Sequence, residues 1–131
     1  MPLSTRSSAY ALAALLGTAG VSHFAVPKIY DAMIPPPLPG DPRVWTYGSG
    51  ALELVVSGAL LVPRTRTLGG LAAAGLFVGV LPANVQMAVD ARRGASRSMQ
   101  VGTLLRLPLQ VPLVVAAWRV FRRTGRGTPL R

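Results

Sequence analysis

The chain has 131 residues, of which half are hydrophobic, and a mean hydropathy of +0.43. It has no cysteine, which excludes disulfides, thiolate metal sites and dithiol chemistry within the chain. Fourteen Lys and Arg against four Asp and Glu raise the question of nucleic-acid binding, but the arginines flank apolar runs with almost no aromatic residues between them to stack on bases. We therefore expect no nucleic-acid partner and interpret the charge as flanking a lipid bilayer.

Four apolar runs follow one another along the chain, and each is close to the roughly 20 residues that cross a hydrocarbon core. They cover residues 9–26, 44–62, 68–89 and 99–121. None shows the polar face, repeating every three to four residues, that a solvated helix needs. The sequence therefore predicts an all-α fold, an integral membrane four-helix bundle formed by a single domain of residues 1–121. Residues 122–131 are predicted to be a basic, disordered cytoplasmic tail.

A proline-rich connector joins the first and second runs. Its segment "PKIYDAM" can form a short helix with Pro27 at the first position, and "IPPPLP" ends that helix as an extended segment. Eight Lys and Arg on the side of both termini, against five on the other, place the termini in the cytoplasm and the connector outside. We expect the connector to cover the outer mouth of the bundle as a lid, although it could instead dock an external partner. The predicted lid residues are Pro27, Tyr30, Pro35, Pro36 and Pro39.

Two charged residues lie well inside the predicted spans. Glu53 is the middle residue of the second run, roughly 13 Å below its outer end, and Arg106 is roughly 10 Å below the outer end of the fourth. An unpaired charge at such depth costs about 2.5–3.5 kcal/mol on insertion scales. Because the two depths nearly match and a guanidinium can meet a carboxylate with two hydrogen bonds, the sequence predicts an intramembrane ion pair between them.

Other polar residues occur in the same outer half of the spans. Pro82 and Pro108 lie beside members of this group, and kinks at prolines open space between helices. Together these features predict an outer-facing polar pocket for a small ligand. The alternative is that the same residues only hold the helices together. The predicted pocket residues are His23, Ser49, Ser57, Asn84, Gln100 and Gln110.

The motifs "GVSHFAVPKIYDAMIPPPLP", "GALELVVSGALLVPRTR" and "LPANVQMAV" together resemble those of the DoxX-like membrane proteins, the DoxX and MauE group. The resemblance extends over residues 17 to about 112. It implies a four-helix protein of the bacterial inner membrane that is often linked to redox systems such as thiosulfate-to-quinone electron transfer. The positions that correspond include His23, Pro27, Tyr30, Pro35, Pro36, Pro39, Gly50, Glu53, Arg66, Pro82, Asn84, Arg106, Pro108 and Gln110.

Three functions are compatible with these features. The first is a non-catalytic subunit or scaffold of a membrane redox system, with oxidoreductase subunits or further copies of the chain as partners. The second is a binder or carrier of a small quinone-like or anionic molecule. The third is an enzyme that uses Glu53 or His23 for acid–base chemistry. No nucleophile or second acid or base supports the third, and a single histidine falls short of the usual zinc or haem ligand sets, so no metal site and no evident cofactor are expected beyond a quinone-like ligand.

Overall fold

The computed structural model describes residues 4–94 and 96–126, and all of the regular structure in these ranges is helical. The helices are α1 (Thr5–Ala25), α2 (Pro27–Asp31), α3 (Pro42–Leu61), α4 (Arg66–Gly79), α5 (Leu81–Ala91) and α6 (Arg97–Thr124). The predicted runs match α1, α3, α4 with α5, and α6, so the all-α four-helix fold is confirmed. The short connector helix α2 begins at Pro27, as its sequence predicts.

In the described part of the chain, four helical segments are long and apolar enough to cross a membrane: α1, α3, α4 with α5, and α6. In each, a third or less of the most apolar stretch is buried inside the bundle. Large apolar side chains such as Val55, Leu68 and Val111 are more than 60% exposed. Because a soluble helix would bury such a surface, the pattern indicates a membrane protein whose apolar outside faces lipid.

The four spans form a closed ring in which α1 packs on α3, α3 on α4, α4 on α6, and α6 back on α1. Within the described residues, α3 and α6 do not pack against each other and occupy opposite corners of the ring. The core between the helices is small and mostly aliphatic, with Leu16, Leu60 and Val120 almost fully buried and Phe77 as its aromatic member. Buried alanines on several helices permit this close packing, since small residues let helix backbones approach in a membrane.

The third span is interrupted at Val80, where α4 gives way to α5. Helix α4 ends at Gly79, and α5 begins at Leu81 with Pro82 in its first turn. Proline lacks the amide hydrogen that would continue the helical hydrogen bonds. Beyond this break α5 packs on α6, and in the described part of the chain it no longer packs against α3. By contrast, Pro108 and Pro112 lie within the continuous helix α6.

Glycines allow α1 and α3 to cross at very short range. A Cβ atom added to Gly50 would lie 2.7 Å from the His23 Cβ, and one added to Gly20 would lie 2.9 Å from the Gly50 carbonyl oxygen. One side-chain hydrogen bond deeper in the same interface joins the helices, from the Ser57 hydroxyl to the Ala13 carbonyl at 2.7 Å. The crossing therefore fixes α1 against α3 at the level of His23.

At the other end of the bundle, Arg66 closes the α3–α4 turn. Its Nε donates to the Leu60 carbonyl at 2.8 Å and its Nη2 to the Leu61 carbonyl at 2.9 Å, and the residue is only 3% exposed. These are carbonyls of the last turn of α3, which have no partner within the helix. The cation also lies over the ring of Tyr10, with its Cζ 5.3 Å from the ring centroid.

Helix α6 continues three residues into the segment predicted to be a disordered tail. Thr124 is helical, and its hydroxyl contacts both the Val120 carbonyl and the Thr67 hydroxyl on α4. The prediction was wrong for 122–124 because the sequence did not reveal this contact with α4. Residues 127–131 of the predicted tail lie outside the described residues.

Candidate functional site

A cavity of about 380 Å³ lies at the centre of the ring, near the end that carries the connector. We call it the polar cavity because charged and polar side chains from α1, α3, α5 and α6 meet there. Apolar side chains from α1, α4 and α6 complete its walls. Its polar lining consists of His23, Tyr30, Thr46, Ser49, Glu53, Asn84, Arg106 and Gln110.

Several contacts hold the side chain of His23 in place in the polar cavity. Its Nδ1 lies 2.7 Å from the Ala19 carbonyl oxygen, and a carbonyl can only accept, so Nδ1 carries a proton. In the neutral ring Nε2 is therefore the free acceptor. The ring stacks on Tyr30 with centroids 3.7 Å apart, and the Tyr30 hydroxyl is hydrogen-bonded to the Ser22 hydroxyl. These contacts hold the imidazole between α1 and the connector.

Two buried acceptors in the walls of the polar cavity have no donor among the described residues. The first is Glu53 Oε2, which lies 3.1 Å from His23 Nδ1 but accepts no hydrogen bond, because the N–H of that nitrogen is directed at the Ala19 carbonyl. The second is Gln110 Oε1. Both residues are at least nine-tenths buried. The site can therefore accept hydrogen bonds from a bound molecule.

The predicted ion pair between Glu53 and Arg106 is not formed in the described structure, where the ionisable side chain within 4 Å of the Glu53 carboxylate is that of His23. Both residues line the polar cavity, so the structure brings the two side chains to one space without an ion pair between them. The reason is the order of the helices around the ring. Because α3 and α6 stand at opposite corners, the two charges face each other across the cavity.

Of the six predicted pocket residues, four line the polar cavity: His23, Ser49, Asn84 and Gln110. Ser57 does not, because it faces α1 and donates to the Ala13 carbonyl, which is the helix-joining role that the sequence left open. Gln100 does not line it either. It precedes Arg106 by six residues on α6, or about 9 Å along the helix axis.

A second space of about 740 Å³ adjoins the polar cavity between α3 and the α4–α5 break, and we call it the apolar cavity. Its outer side is the connector, through Ile34, Pro35, Pro37 and Leu38. Trp45, whose indole Nε1 donates to the Pro39 carbonyl at 2.8 Å, closes one corner. The space exists because α5 leaves α3 beyond the break.

The connector lines both cavities, but not through all of the predicted lid residues. Tyr30 lines the polar cavity and Pro35 the apolar cavity. Pro27, Pro36 and Pro39 line neither cavity. Pro27 begins α2, and Pro39 supplies the carbonyl that Trp45 contacts.

Sequence reasoning missed the anchor of this connector, which is Asp31. Its carboxylate accepts from the fully buried Thr46 hydroxyl at 2.6 Å and from Arg43 Nε at 2.9 Å, both on α3. The hydrogen bond from Thr46, followed by the hydrogen bond and charge of Arg43, lowers the pKa of Asp31 against the opposing effect of burial. One feature of the sequence could have indicated this role: Asp31 is one of four acidic residues in a chain of net charge +10.

Comparison with known proteins assigns a family but no activity. A family model described as a domain of unknown function, DUF8561, matches residues 12–121. No curated protein and no solved structure matches the chain. The matched segment contains every residue of both cavities. Since it also spans most of the 131 residues, the chain belongs to the DUF8561 family.

Proposed function

We propose that the protein binds a small molecule bearing hydrogen-bond donors in the polar cavity, and that it does so without catalysing a reaction. The observation that carries this proposal is the pair of buried acceptors, Glu53 Oε2 and Gln110 Oε1, on the walls of one cavity. A buried acceptor without a partner costs about 1–3 kcal/mol. A ligand with hydroxyl or amine hydrogens would recover that cost.

The rest of the lining suits a molecule that also carries an acceptor or a negative charge. Arg106 stands on the wall opposite Glu53, and Asn84 adds an amide. The cavity also falls within the range of about 300–1,000 Å³ typical of small-molecule sites. A quinone-like molecule combines an apolar ring with polar oxygens, and its reduced form supplies two hydroxyl donors. Such a molecule is the ligand that we propose first.

The biological setting is a proposal as well. The resemblance to DoxX-like proteins supports a protein of the bacterial inner membrane that acts beside oxidoreductase subunits. A purely structural subunit is the second candidate function, and the Ser57–Ala13 hydrogen bond favours it, because this polar group does join helices. An acid–base enzyme has less support. In residues 4–94 and 96–126, no three potential metal ligands meet, and the polar contacts of Glu53 and His23 are with each other and with the Ala19 carbonyl rather than with a nucleophile.

The experiment compares duroquinol with duroquinone, which have the same ring and methyl groups but differ in donors. Equilibrium binding to the purified protein is measured anaerobically in mild detergent, and native mass spectrometry of the same sample shows any ligand that co-purifies. We expect duroquinol to bind more tightly, by about tenfold for one additional satisfied acceptor.

Two variants separate binding from helix packing. His23→Phe keeps an aromatic ring for Tyr30 to stack on but removes both nitrogens, so it should weaken duroquinol binding while the melting temperature stays near that of the wild type. Ser57→Ala, the matched control outside the cavity, should lower the melting temperature and leave binding unchanged. If His23→Phe lowers stability yet retains the ligand, the polar group is structural and the proposal is wrong.

A further inference from the structure

We propose that the ligand is amphipathic, with its donor-bearing head in the polar cavity and an apolar chain that runs through the apolar cavity between α3 and the α4–α5 break. This inference rests on the proposed function and specifies the class of molecule: a lipid-like compound with a hydroxylated head group. It does not depend on the ring chemistry of the head.

The two cavities share part of their walls. Five residues line both, and they come from the connector, α3 and the third span: Ile34, Ser49, Glu53, Leu76 and Val80. Glu53, which carries one of the two acceptors without a donor, is therefore at the boundary between the spaces. A head group bonded to Glu53 has the apolar cavity directly beside it.

The lining of the apolar cavity is suited to a hydrocarbon chain and to little else. Within the described part of the chain, its polar side chains are Ser49 and Glu53, at the boundary with the polar cavity, and Trp45, whose indole N–H is already bonded to the Pro39 carbonyl. The remaining lining is aliphatic, proline or glycine. A wholly polar ligand would have no partner there, and burying polar groups without hydrogen bonds is unfavourable. One cavity therefore carries most of the polar side chains and the other is lined mainly by apolar ones, which matches the two ends of an amphipathic molecule.

Glycines keep the apolar cavity open along α4. Gly75 and Gly79 are four residues apart and so lie on one face of the helix, and both line the cavity. A Cβ atom built at either would meet nothing within 4 Å. Close helix packing therefore does not require Gly75 and Gly79, whereas it does require Gly20 and Gly50. They leave a channel, and larger side chains would fill it without disturbing the backbone.

The connector closes the outer side of this channel. Pro35, Pro37 and Leu38 line it, and Asp31 ties the same connector to α3. A chain lying between α3 and α5 is thus covered from the membrane surface. The channel remains open towards the lipid-facing surface, where Gly75, Gly79 and Pro82 are exposed. An amphipathic molecule dissolved in the bilayer could enter from that side.

The test uses an alkylhydroquinone whose chain ends in bromine, which quenches tryptophan fluorescence on contact. The protein has two tryptophans, and one of them, Trp45, lines the apolar cavity. A Trp118→Phe background therefore leaves Trp45 as the source of the tryptophan fluorescence that is measured. We expect saturable quenching that duroquinol, which has no chain, reverses by competing for the head-group site.

Two glycine variants then test whether the alkyl chain of the probe lies in the apolar cavity. Gly75→Leu fills the channel and should weaken binding of the brominated probe by about tenfold or more, while duroquinol affinity changes by less than about twofold. The matched control is Gly58→Leu, because this glycine lies on α3, is equally free of neighbours and lines neither cavity. It should leave the affinities for both probes unchanged, since its new side chain faces lipid.

Failure of the two proposals can be told apart. If duroquinol does not bind, the proposed function itself fails. If duroquinol binds but Gly75→Leu has no effect on the brominated probe, only the inference about the chain is overturned. If a bromoalkane without a head group quenches Trp45 equally well, and duroquinol does not displace it, the apolar cavity holds bulk lipid chains, which also overturns the inference.

Discussion

Replacing Gly50 with alanine tests how the crossing of α1 and α3 supports the candidate site. The new Cβ would lie 2.7 Å from the His23 Cβ, 3.0 Å from the Phe24 Cε2 and 3.1 Å from the Gly20 carbonyl oxygen. The Gly20 oxygen belongs to the backbone and the His23 Cβ is the first atom of its side chain, so neither can move away by a side-chain rotation. The helices must separate, and we expect a cost of about 1–3 kcal/mol, the usual range for overpacking.

The matched control is Gly48→Ala on the same helix, where a Cβ meets nothing within 4 Å. Alanine is favoured over glycine within a helix by about 1 kcal/mol, and this gain applies to both variants. The difference between them therefore isolates the steric term. Unfolding in detergent, followed by circular dichroism, should show Gly50→Ala to be the less stable of the two by about 1–3 kcal/mol.

The same variant should weaken duroquinol binding, because separating α1 from α3 moves His23 away from Glu53. Equal stability and equal binding in Gly50→Ala and Gly48→Ala would refute the argument. It would mean that the α1–α3 crossing is loose enough to admit a methyl group and does not position the site.

Three further predictions concern other parts of the bundle. The hydrogen bond from Thr46 lowers the pKa of Asp31, so its stabilisation is complete above the ordinary carboxyl pKa and is lost as pH falls through the lowered value; melting temperature should drop in acid, and less steeply in Asp31→Asn. Arg66→Lys should lower the free energy of unfolding by about 1–3 kcal/mol, measured in detergent, because an ammonium cannot reproduce both bonds to the α3 carbonyls. An impermeant thiol reagent should label Gly94→Cys but not Thr65→Cys in intact cells if the termini are cytoplasmic, and the reverse pattern would invert the proposed orientation.

The spans and the start of α2 could be predicted because they depend on local sequence. Runs of apolar residues determine which segments can cross a membrane, and Pro27 favours the first turn of a helix. The same counting of residues along the spans brought Glu53 and Arg106 to one region of the bundle, and both line the polar cavity. The fold class was therefore accessible before any three-dimensional information.

What could not be predicted depends on which helices are neighbours. Hydropathy does not encode the order of helices around the ring, so matched depth suggested a Glu53–Arg106 contact that the diagonal separation of α3 and α6 prevents. Ser57 shares an i, i+4 face with Glu53, yet it packs on α1 because Gly17 leaves room beside its hydroxyl. The bond between Asp31 and Thr46 joins residues fifteen positions apart and has no local signature.

The break between α4 and α5 couples the two cavities mechanically. Val80, at the break, lines both spaces. Helix α5 carries Asn84 on the wall of one and Pro82 and Ala83 on the wall of the other. A change in the angle between α4 and α5 therefore alters the volumes of both cavities at the same time.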